Sequence, residues 1–322
     1  MGGSRIGAET GRAARIHRCP PNFLPRIATV KRVPSLGWAA LGVLAFSLTF
    51  PATALAEREF NSLLVGAGRS VIAAAIAAIC LRALRAPLPA REAWPGLIAV
   101  ALGCGVGFGV LSALALRHTT SSHAAVVVGL LPAATATVAV IRIGERPGPL
   151  FWAASILGTA TVTAYAVSRG AGSLHPADLL LLASVLAAAI GYAEAGRLTM
   201  AMPGWQVTAW GLVAALPISL PMTVVALLAQ APGPPKASAL LGFAYVGTIS
   251  TFVGFFAWYR GLAEAGVAKA SQIQLAQPLL TIAWSVPLLG DHLDAAGWAT
   301  AVVVGFCVLV TQRTRPRAAG SR

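Results

Sequence analysis

The sequence predicts an all-α integral membrane protein whose ten transmembrane helices form two inverted five-helix repeats. Hydrophobic residues make up 57% of the 322 residues and charged residues only 11%, and the mean hydropathy is +0.76. An ordinary soluble domain carries about 25% charged residues, so this chain has too few charges to cover a soluble surface. Ten long apolar runs and an internal duplication support the same prediction.

The ten apolar runs are each about long enough to cross a membrane as a helix. A hydrocarbon core of about 30 Å requires roughly 20 apolar residues in a helix, and the runs lack the alternation of membrane β-strands. We number them spans 1 to 10. In the first half they cover Leu36–Ala56, Ser62–Leu81, Trp94–Leu114, Ala124–Ile141 and Leu150–Val167. In the second half they cover Leu179–Gly196, Trp205–Ala229, Ala239–Trp258, Ile273–Leu289 and Ala295–Thr311.

The chain repeats part of itself at an offset of 146 residues. Pro132 in span 4 and the run Gly144–Arg146 after it recur as Pro278 in span 9 and the run Gly290–His292 after that span. Self-similarity at a fixed spacing determines architecture and is therefore considered before local features. This spacing is too long for a solenoid, and it predicts two homologous membrane halves.

Positive charges predict that both termini lie in the cytoplasm. With the N-terminus inside, the cytoplasmic loops and tails hold 19 Lys and Arg residues and the opposite loops hold 4, and positive residues concentrate on the cytoplasmic side. Two homologous halves of five spans each must enter the membrane from opposite faces, because five is odd. Secondary transporters of this inverted-repeat type bind their substrate near the midplane, between the halves.

These patterns divide the chain into four parts. Residues 1–34 form a basic tail that we expect to be disordered and attracted to anionic lipid on the cytoplasmic side. Residues 35–168 and 177–312 form the two repeats, and residues 313–322 form a cytoplasmic C-terminal tail. Arginine outnumbers lysine 21 to 3, which suggests a GC-rich bacterial genome.

The same residues resemble a known family, the EamA family of the drug/metabolite transporter superfamily. The resemblance rests on the opening span, Leu41–Ser47 continuing to Phe50–Ala52, on Pro132 with Gly144 and Glu145, and on the echo from Gln277 and Pro278 to Gly290 and Asp291. It covers about Gly37 to Thr311, and Asp291 stands where such proteins usually have Glu. The resemblance implies an inner-membrane carrier, typically an exporter of amino acids or other small metabolites, with a central cavity lined by both halves.

Several function classes are disfavoured by the same sequence. It contains no Gly-x-x-x-x-Gly-Lys-Ser/Thr motor motif, so transport driven by its own ATP hydrolysis is not expected. The longest predicted connection, Tyr259–Gln272, has 14 residues and cannot hold a catalytic domain. We expect no enzyme activity, cofactor, metal or nucleic-acid partner, and we expect a small-molecule substrate and membrane lipids as partners. A lipid-modifying membrane enzyme and a non-transporting membrane protein remain the alternatives.

Two charged positions are candidate cavity or coupling residues. Arg69 lies seven residues into span 2, and an ionisable group within a membrane is a functional candidate by default. It either contributes to the cavity or an inter-helix ion pair, or it extends its charge to the interface. Glu194 and Arg197, three residues apart at the end of span 6, share a helix face. They predict either a solvated ion pair or a proton-coupling carboxylate at Glu194.

The remaining candidates are aromatic residues, prolines and glycines. Tyr192 and Trp258 are candidates for the cavity mouth, although Trp258 followed by Tyr259 is also typical of an interfacial anchor. The matching positions of Pro132 and Pro278 favour a paired role in bending helices beside the cavity. The alternate glycines from Gly103 to Gly109 in span 3 predict close helix packing, and the signature residues Gly144, Glu145, Gly290 and Asp291 are assigned a structural role.

Overall fold

The structure is a computed structural model of a helical membrane bundle. It describes residues 35–144, 147–168, 176–230 and 233–290, with isolated pairs and one single residue between 295 and 310. The two predicted tails, most of span 10, Glu145 and Asp291 lie outside the described residues. Within the described part, no β-strand occurs.

Six described helices are long and apolar enough to cross a membrane, and they coincide with predicted spans 1 to 3 and 6 to 8. They are Leu36–Ala56, Ser62–Ala83, Arg91–Leu116, Pro176–Leu198, Gly204–Leu228 and Ala237–Ala265. Span 5 is a helix over Pro149–Ser168. The chain is thus a multi-pass membrane protein, and the full count of ten membrane helices stays a prediction.

Spans 4 and 9 are broken near their middle. Span 4 consists of Ser121–Val128 followed by Leu131–Ile143. Span 9 begins with Val267–Ser271, passes through a 3₁₀ turn over Gln272–Ala276, and ends with Gln277–Leu289. In each span the second segment has a proline in its first turn, Pro132 or Pro278, where proline fits because no intrahelical N–H bond is lost.

The duplication is visible in the backbone. Adding 146 to the bounds of Leu131–Ile143 gives Gln277–Leu289. Both helices end at a glycine in the left-handed region, Gly144 with φ 75° and Gly290 with φ 84°, a conformation that glycine adopts without steric cost.

Spans 3 and 8 each contain a π-helical segment, and the two segments match at the offset of 146 residues. Span 3 contains a π-helical segment over Ala101–Gly107, and span 8 contains one over Val246–Gly254. Adding 146 to the first range gives residues 247–253, within the second. Such i→i+5 segments are rare and occur frequently at functional sites.

One predicted connection differs from the structure. Tyr259–Gln272 was expected to be the longest loop, yet span 8 stays helical to Ala265 and the chain becomes helical again at Val267. Gly266, with φ 84°, makes the whole turn. A single glycine can replace a long loop here because its backbone accepts positive φ.

The two halves interlock along several helix pairs. Span 1 packs on span 8, span 2 on span 7, and the second segment of span 4 on span 6. Span 3 approaches span 6 through glycine, since a Cβ added at Gly103 would lie 3.1 Å from the Cα of Gly191. The predicted role of the span 3 glycines in close packing is therefore confirmed at this contact.

Candidate functional site

A small central cavity lies between the two halves. The first half contributes five lining residues from spans 1 to 4, and the second half contributes four from spans 6, 8 and 9. They are Phe46, Thr49, Arg69, Phe108, Leu131, Tyr192, Ser250, Phe255 and Gln277. The cavity volume is about 10 Å³, enough for about one water molecule, so the side chains close the site in this conformation.

The broken helices bring equivalent positions to this cavity. Leu131 and Gln277 are each the first residue of the second segment of its span, and both line the cavity. They are also 146 residues apart. The duplicated break therefore lies where the two halves meet.

Arg69 is held in the cavity wall by hydroxyl groups of span 8. Its Nε donates to Thr251 Oγ1 at 2.8 Å and its Nη2 donates to Ser250 Oγ at 3.4 Å. Thr251 donates in turn to the Val246 carbonyl at 2.6 Å, across the π-helical segment. The guanidinium is thus oriented by a fixed network that joins the two halves.

The charge of Arg69 is buried without an ion-pair partner in the described part of the chain. The residue is only 3% exposed, which excludes the alternative that it extends to the membrane interface. No described carboxylate lies within ion-pair distance of it. Two of its five N–H donors are used by the bonds to Thr251 and Ser250.

Gly109 of span 3 makes room for this side chain, and Gly66 of span 2 lets the two helices approach beside it. A Cβ added at Gly109 of span 3 would lie 3.3 Å from Arg69 Cδ and 2.9 Å from the Gly66 carbonyl oxygen. Spans 2 and 3 therefore meet backbone to backbone beside Arg69, and larger residues at Gly66 or Gly109 would separate them.

Five aromatic rings from spans 1, 6 and 8 pack against one another beside the cavity. Tyr192 lies 5.4 Å from Trp258 and 6.0 Å from Phe255 between ring centroids, and Phe46 lies 5.0 Å from Phe255. Tyr259 completes this aromatic cluster, 5.4 Å from Phe255. Because Trp258 is 0% and Tyr259 1% exposed, the interfacial-anchor interpretation of this pair is wrong. Trp258 packs behind Tyr192 and is not among the lining residues.

An ion cluster lies next to the aromatic cluster, at the ends of spans 4 and 6. The Glu194 carboxylate is 1% exposed and accepts from Arg197 Nε at 2.9 Å and from Arg142 Nε at 2.7 Å. Arg142 Nη2 also donates to it. The solvated pair expected from sequence is therefore wrong for Glu194, although its contact with Arg197 is confirmed. Both carboxylate oxygens accept hydrogen bonds from guanidinium groups. This favours a role for Glu194 in holding spans 4 and 6 together over a role in proton coupling.

Several polar atoms near the aromatic cluster are buried and make no hydrogen bond of good geometry within the described part of the chain. The Trp258 indole nitrogen is one, and the Tyr259 hydroxyl and the Gln274 amide have only looser contacts, with Cys104 and Tyr192. Unsatisfied buried polar groups cost free energy. They would gain water if this side of the bundle opened.

Glu57, whose side chain is half-buried, directly follows the C-terminal end of span 1. Burial raises the pKa of Glu57 to about 7, against the smaller lowering effects of a hydrogen bond with Ser62 and the charge of Arg117. Its Oε1 is buried without a hydrogen-bond partner among the described residues. Glu57 is therefore expected to change charge near neutral pH.

The predicted prolines and glycines flank the cavity without lining it. Pro132 and Pro278 are buried one position after the lining residues Leu131 and Gln277. Gly144 and Gly290 cap the far ends of the same helices. Among the described residues no group of three or more His, Cys, Asp or Glu could hold a metal.

Sequence reasoning missed most of the polar lining. The lining residues Thr49, Ser250 and Gln277, and Thr251, which binds Arg69, were not singled out as cavity residues. A usable signal was present, since Thr248 to Thr251 place three hydroxyl residues within an otherwise apolar span. Gln277 was noted only as part of the Gln-Pro signature.

Comparisons with known proteins agree with this architecture. The EamA-like transporter family matches residues 34–166 and again residues 175–312, one match for each half. A protein named "Uncharacterized transporter YdeK" from Bacillus subtilis (strain 168) is 40% identical over 281 residues, covering 86% of this chain and 97% of that protein.

A solved crystal structure of a protein also shares the fold, with a TM-score of 0.73 and 18% identity over 88% of this chain and 99% of that one. The two family matches, the relative named a transporter and the apolar helices lead to one conclusion. The chain belongs to the EamA-like transporter family and is a multi-pass membrane transporter.

Proposed function

We propose that this protein moves a small metabolite across the bacterial inner membrane by alternating access, without ATP hydrolysis. The observation that carries the proposal is the cavity between the two halves, lined by polar residues of both. Inverted repeats of secondary transporters place their substrate at this position. By resemblance to the family, the substrate is an amino acid or another small metabolite and the direction is export.

The contacts around the cavity support a conformation closed on the cytoplasmic side. By the charge distribution, the ends of spans 4 and 6 face the cytoplasm, and the aromatic and ion clusters lie there. The ion cluster joins Arg142 of the first half to Glu194 of the second. In our proposal both clusters separate when the cavity opens to the cytoplasm.

The proposed orientation has a direct test. Reporter fusions after Arg58 and after Ala171 are expected to give periplasmic signals, and fusions after Arg91 and at Arg313 cytoplasmic ones. A cytoplasmic signal at both of the first two sites would overturn the inverted-repeat topology.

Counterflow in proteoliposomes tests the proposed function. Purified protein is reconstituted, loaded with one unlabelled compound and exposed to the same labelled compound outside, over a panel of amino acids, organic acids and amphipathic cations. Transient accumulation of any labelled compound above protein-free liposomes supports transport, since counterflow needs no energy source. Absence of counterflow over the whole panel would favour the non-transporting alternative.

A lipid-modifying enzyme is the second candidate function, and the geometry favours it less. Such chemistry needs convergent acids or histidines near the interface. The described ion cluster contains one carboxylate, and both of its oxygens are bound by arginine.

A further inference from the structure

We propose that the central cavity binds a small organic anion, a carboxylate with an apolar or aromatic body, and that Arg69 is its anion-binding residue. This inference rests on the proposed transport function and narrows its substrate class. It distinguishes anions from the zwitterions and cations that the proposed function also allows.

The first argument is the charge of the cavity. Arg69 is the one charged residue among those lining it, and it is 97% buried. An uncompensated charge within a membrane is expensive, so a bound anion cancels the charge and relieves this cost. A cation would add a second positive charge, and a zwitterion would leave the net charge at one.

The second argument is the orientation of the guanidinium. Thr251 and Ser250 fix Nε and Nη2 from one side, while the residue lines the cavity. The N–H donors not used in these two bonds are available to a ligand. A planar guanidinium held in this way matches a carboxylate, which binds arginine through two parallel hydrogen bonds.

The third argument is the polarity of the two helix starts at the cavity. Leu131 and Gln277 begin 13-residue helices, and helix N-termini favour negative charge. The preceding segments end at the same breaks, so their C-terminal ends offset part of this effect. Arg69 therefore contributes most of the preference for an anion.

The rest of the lining is suited to an apolar body. Four aromatic side chains complete the wall, and aromatic rings pack against one another in offset or edge-to-face arrangements. They are Phe46, Phe108, Tyr192 and Phe255. In this conformation the cavity has room for only about one water molecule, so the anion is taken up when the side chains around it move apart.

The test is a competition experiment with four compounds that share a benzyl group and differ in charge. Binding of radiolabelled phenylacetate to the purified full-length protein in nanodiscs is measured against unlabelled phenylacetate, neutral phenylacetamide, cationic phenethylamine and zwitterionic phenylalanine. We expect phenylacetate to compete at least about tenfold better than each of the others. Equal competition by the amide, stronger competition by the amine or phenylalanine, or no binding of phenylacetate at millimolar concentration would overturn the proposal.

Variants assign the preference to Arg69. Arg69→Gln is expected to weaken phenylacetate binding by about tenfold or more and to leave phenylacetamide binding unchanged, while Arg69→Lys restores part of the preference. Arg82→Gln, at an exposed arginine on the same helix, is the matched control and should bind as the natural protein does. Equal loss of both ligands in Arg69→Gln would indicate a structural role and contradict the proposal.

If Arg69→Gln fails to fold, the charge ranking on the natural protein and the Arg69→Lys variant still decide the question. The outcome is also separable from the proposed function. Counterflow of a neutral or cationic compound without anion binding would leave the transporter proposal intact and overturn this one.

Discussion

Arg69 illustrates how a charged residue is retained inside an apolar helix. Its guanidinium donates to two hydroxyls of span 8, and Gly109 leaves room for its stem. Each hydrogen bond to a charged group contributes about 1.5–3 kcal/mol, so these two bonds offset much of the several kcal/mol that burying an ion costs. Under the proposal above, a bound anion would offset what remains of this cost.

At Glu57 the expected effect is a dependence of stability on pH. Its pKa is about 7 in the folded protein against an ordinary value of 4.5, so the folded chain binds this proton more tightly than the unfolded chain. Folded-state stability should therefore rise as the pH falls from above 7 toward 4.5. Glu57→Gln mimics the protonated form, and we expect its melting temperature in detergent to exceed that of the natural protein at about pH 8.

This advantage of Glu57→Gln should shrink as the pH falls from 7 toward 4.5. Glu92→Gln, at an exposed carboxylate, is the control and should leave the pH profile unchanged. A constant difference between Glu57→Gln and the natural protein at every pH would show that the carboxyl does not titrate in this range.

Gly103 is expected to tolerate no side chain. A Cβ there would lie 3.1 Å from the Gly191 Cα, and backbone atoms cannot move aside as a flexible side chain can. Gly103→Ala should therefore lower the free energy of unfolding by about 1–3 kcal/mol. Gly148→Ala, where a Cβ meets nothing within 4 Å, should be neutral. Equal stability of the two variants would contradict the close packing of spans 3 and 6.

On the scale of helices, the matching breaks in spans 4 and 9 position the cavity. Proline lacks the N–H that a continuous helix would need and clashes with the preceding turn. Pro132 and Pro278 therefore keep each span from continuing straight through its break. As a result, Leu131 and Gln277 stay at the cavity wall.

Replacing either proline should impair transport more than folding. In Pro132→Ala or Pro278→Ala the break can close into a continuous helix, which would move the adjacent lining residue. We expect initial transport rates to fall by about tenfold at unchanged expression and membrane insertion. Pro217→Ala, at an exposed proline within span 7, is the control. Full transport in both Pro132→Ala and Pro278→Ala would assign these prolines no functional role.

The ion cluster should couple spans 4 and 6 energetically. Arg142→Ala and Glu194→Gln are combined in a double-mutant cycle of the unfolding free energy, and we expect a coupling energy of about 0.5–3 kcal/mol because Glu194 is buried. The exposed pair Arg260 and Glu264, with nitrogen and oxygen 3.0 Å apart, is the matched control, with about 0.3–0.5 kcal/mol expected. Additive effects of the Arg142 and Glu194 substitutions would show that the cluster does not hold the two spans together.

Features that depend on neighbouring residues are easier to predict from the sequence than features that depend on contacts between distant positions in the chain. The span bounds follow from local hydropathy, and span 1 agrees at both ends, Leu36 and Ala56. The contact between Arg142 and Glu194 joins residues 52 positions apart, and no local pattern encodes it. Trp258 is likewise buried by packing against span 6, a contact between distant positions. Its residue type alone therefore suggested an interfacial position.

The position of the cavity was predictable in outline and its polar wall was not. The offset between Pro132 and Pro278 indicated paired features beside a central site. The bonds of Arg69 depend on the π-helical segment of span 8, and π-helical geometry has no simple sequence pattern. That segment places Ser250 and Thr251 toward span 2.

For the whole molecule, duplication supplies a physical basis for two alternative conformations. Two similar halves that enter the membrane from opposite faces can exchange their packing arrangements, so a closure on one side implies a related closure on the other. The structure has the aromatic and ion clusters on one side of the cavity. Our account therefore requires a second conformation in which these clusters separate and the cavity opens to the cytoplasm.

Thiol accessibility measures this requirement directly. Leu131→Cys is placed in the cavity of a variant whose four natural cysteines are replaced by alanine. A membrane-impermeant thiosulfonate is then added to one face of oriented vesicles at a time. Arg58→Cys and Ala201→Cys, at exposed positions on the predicted periplasmic and cytoplasmic sides, serve as single-sided controls.

The account predicts that Leu131→Cys reacts from both faces, and that adding Glu194→Gln raises its reactivity from the cytoplasmic face and lowers it from the periplasmic face. Each control should react from its own face only. Reaction of Leu131→Cys from a single face, with or without Glu194→Gln, would contradict alternating access through this cavity.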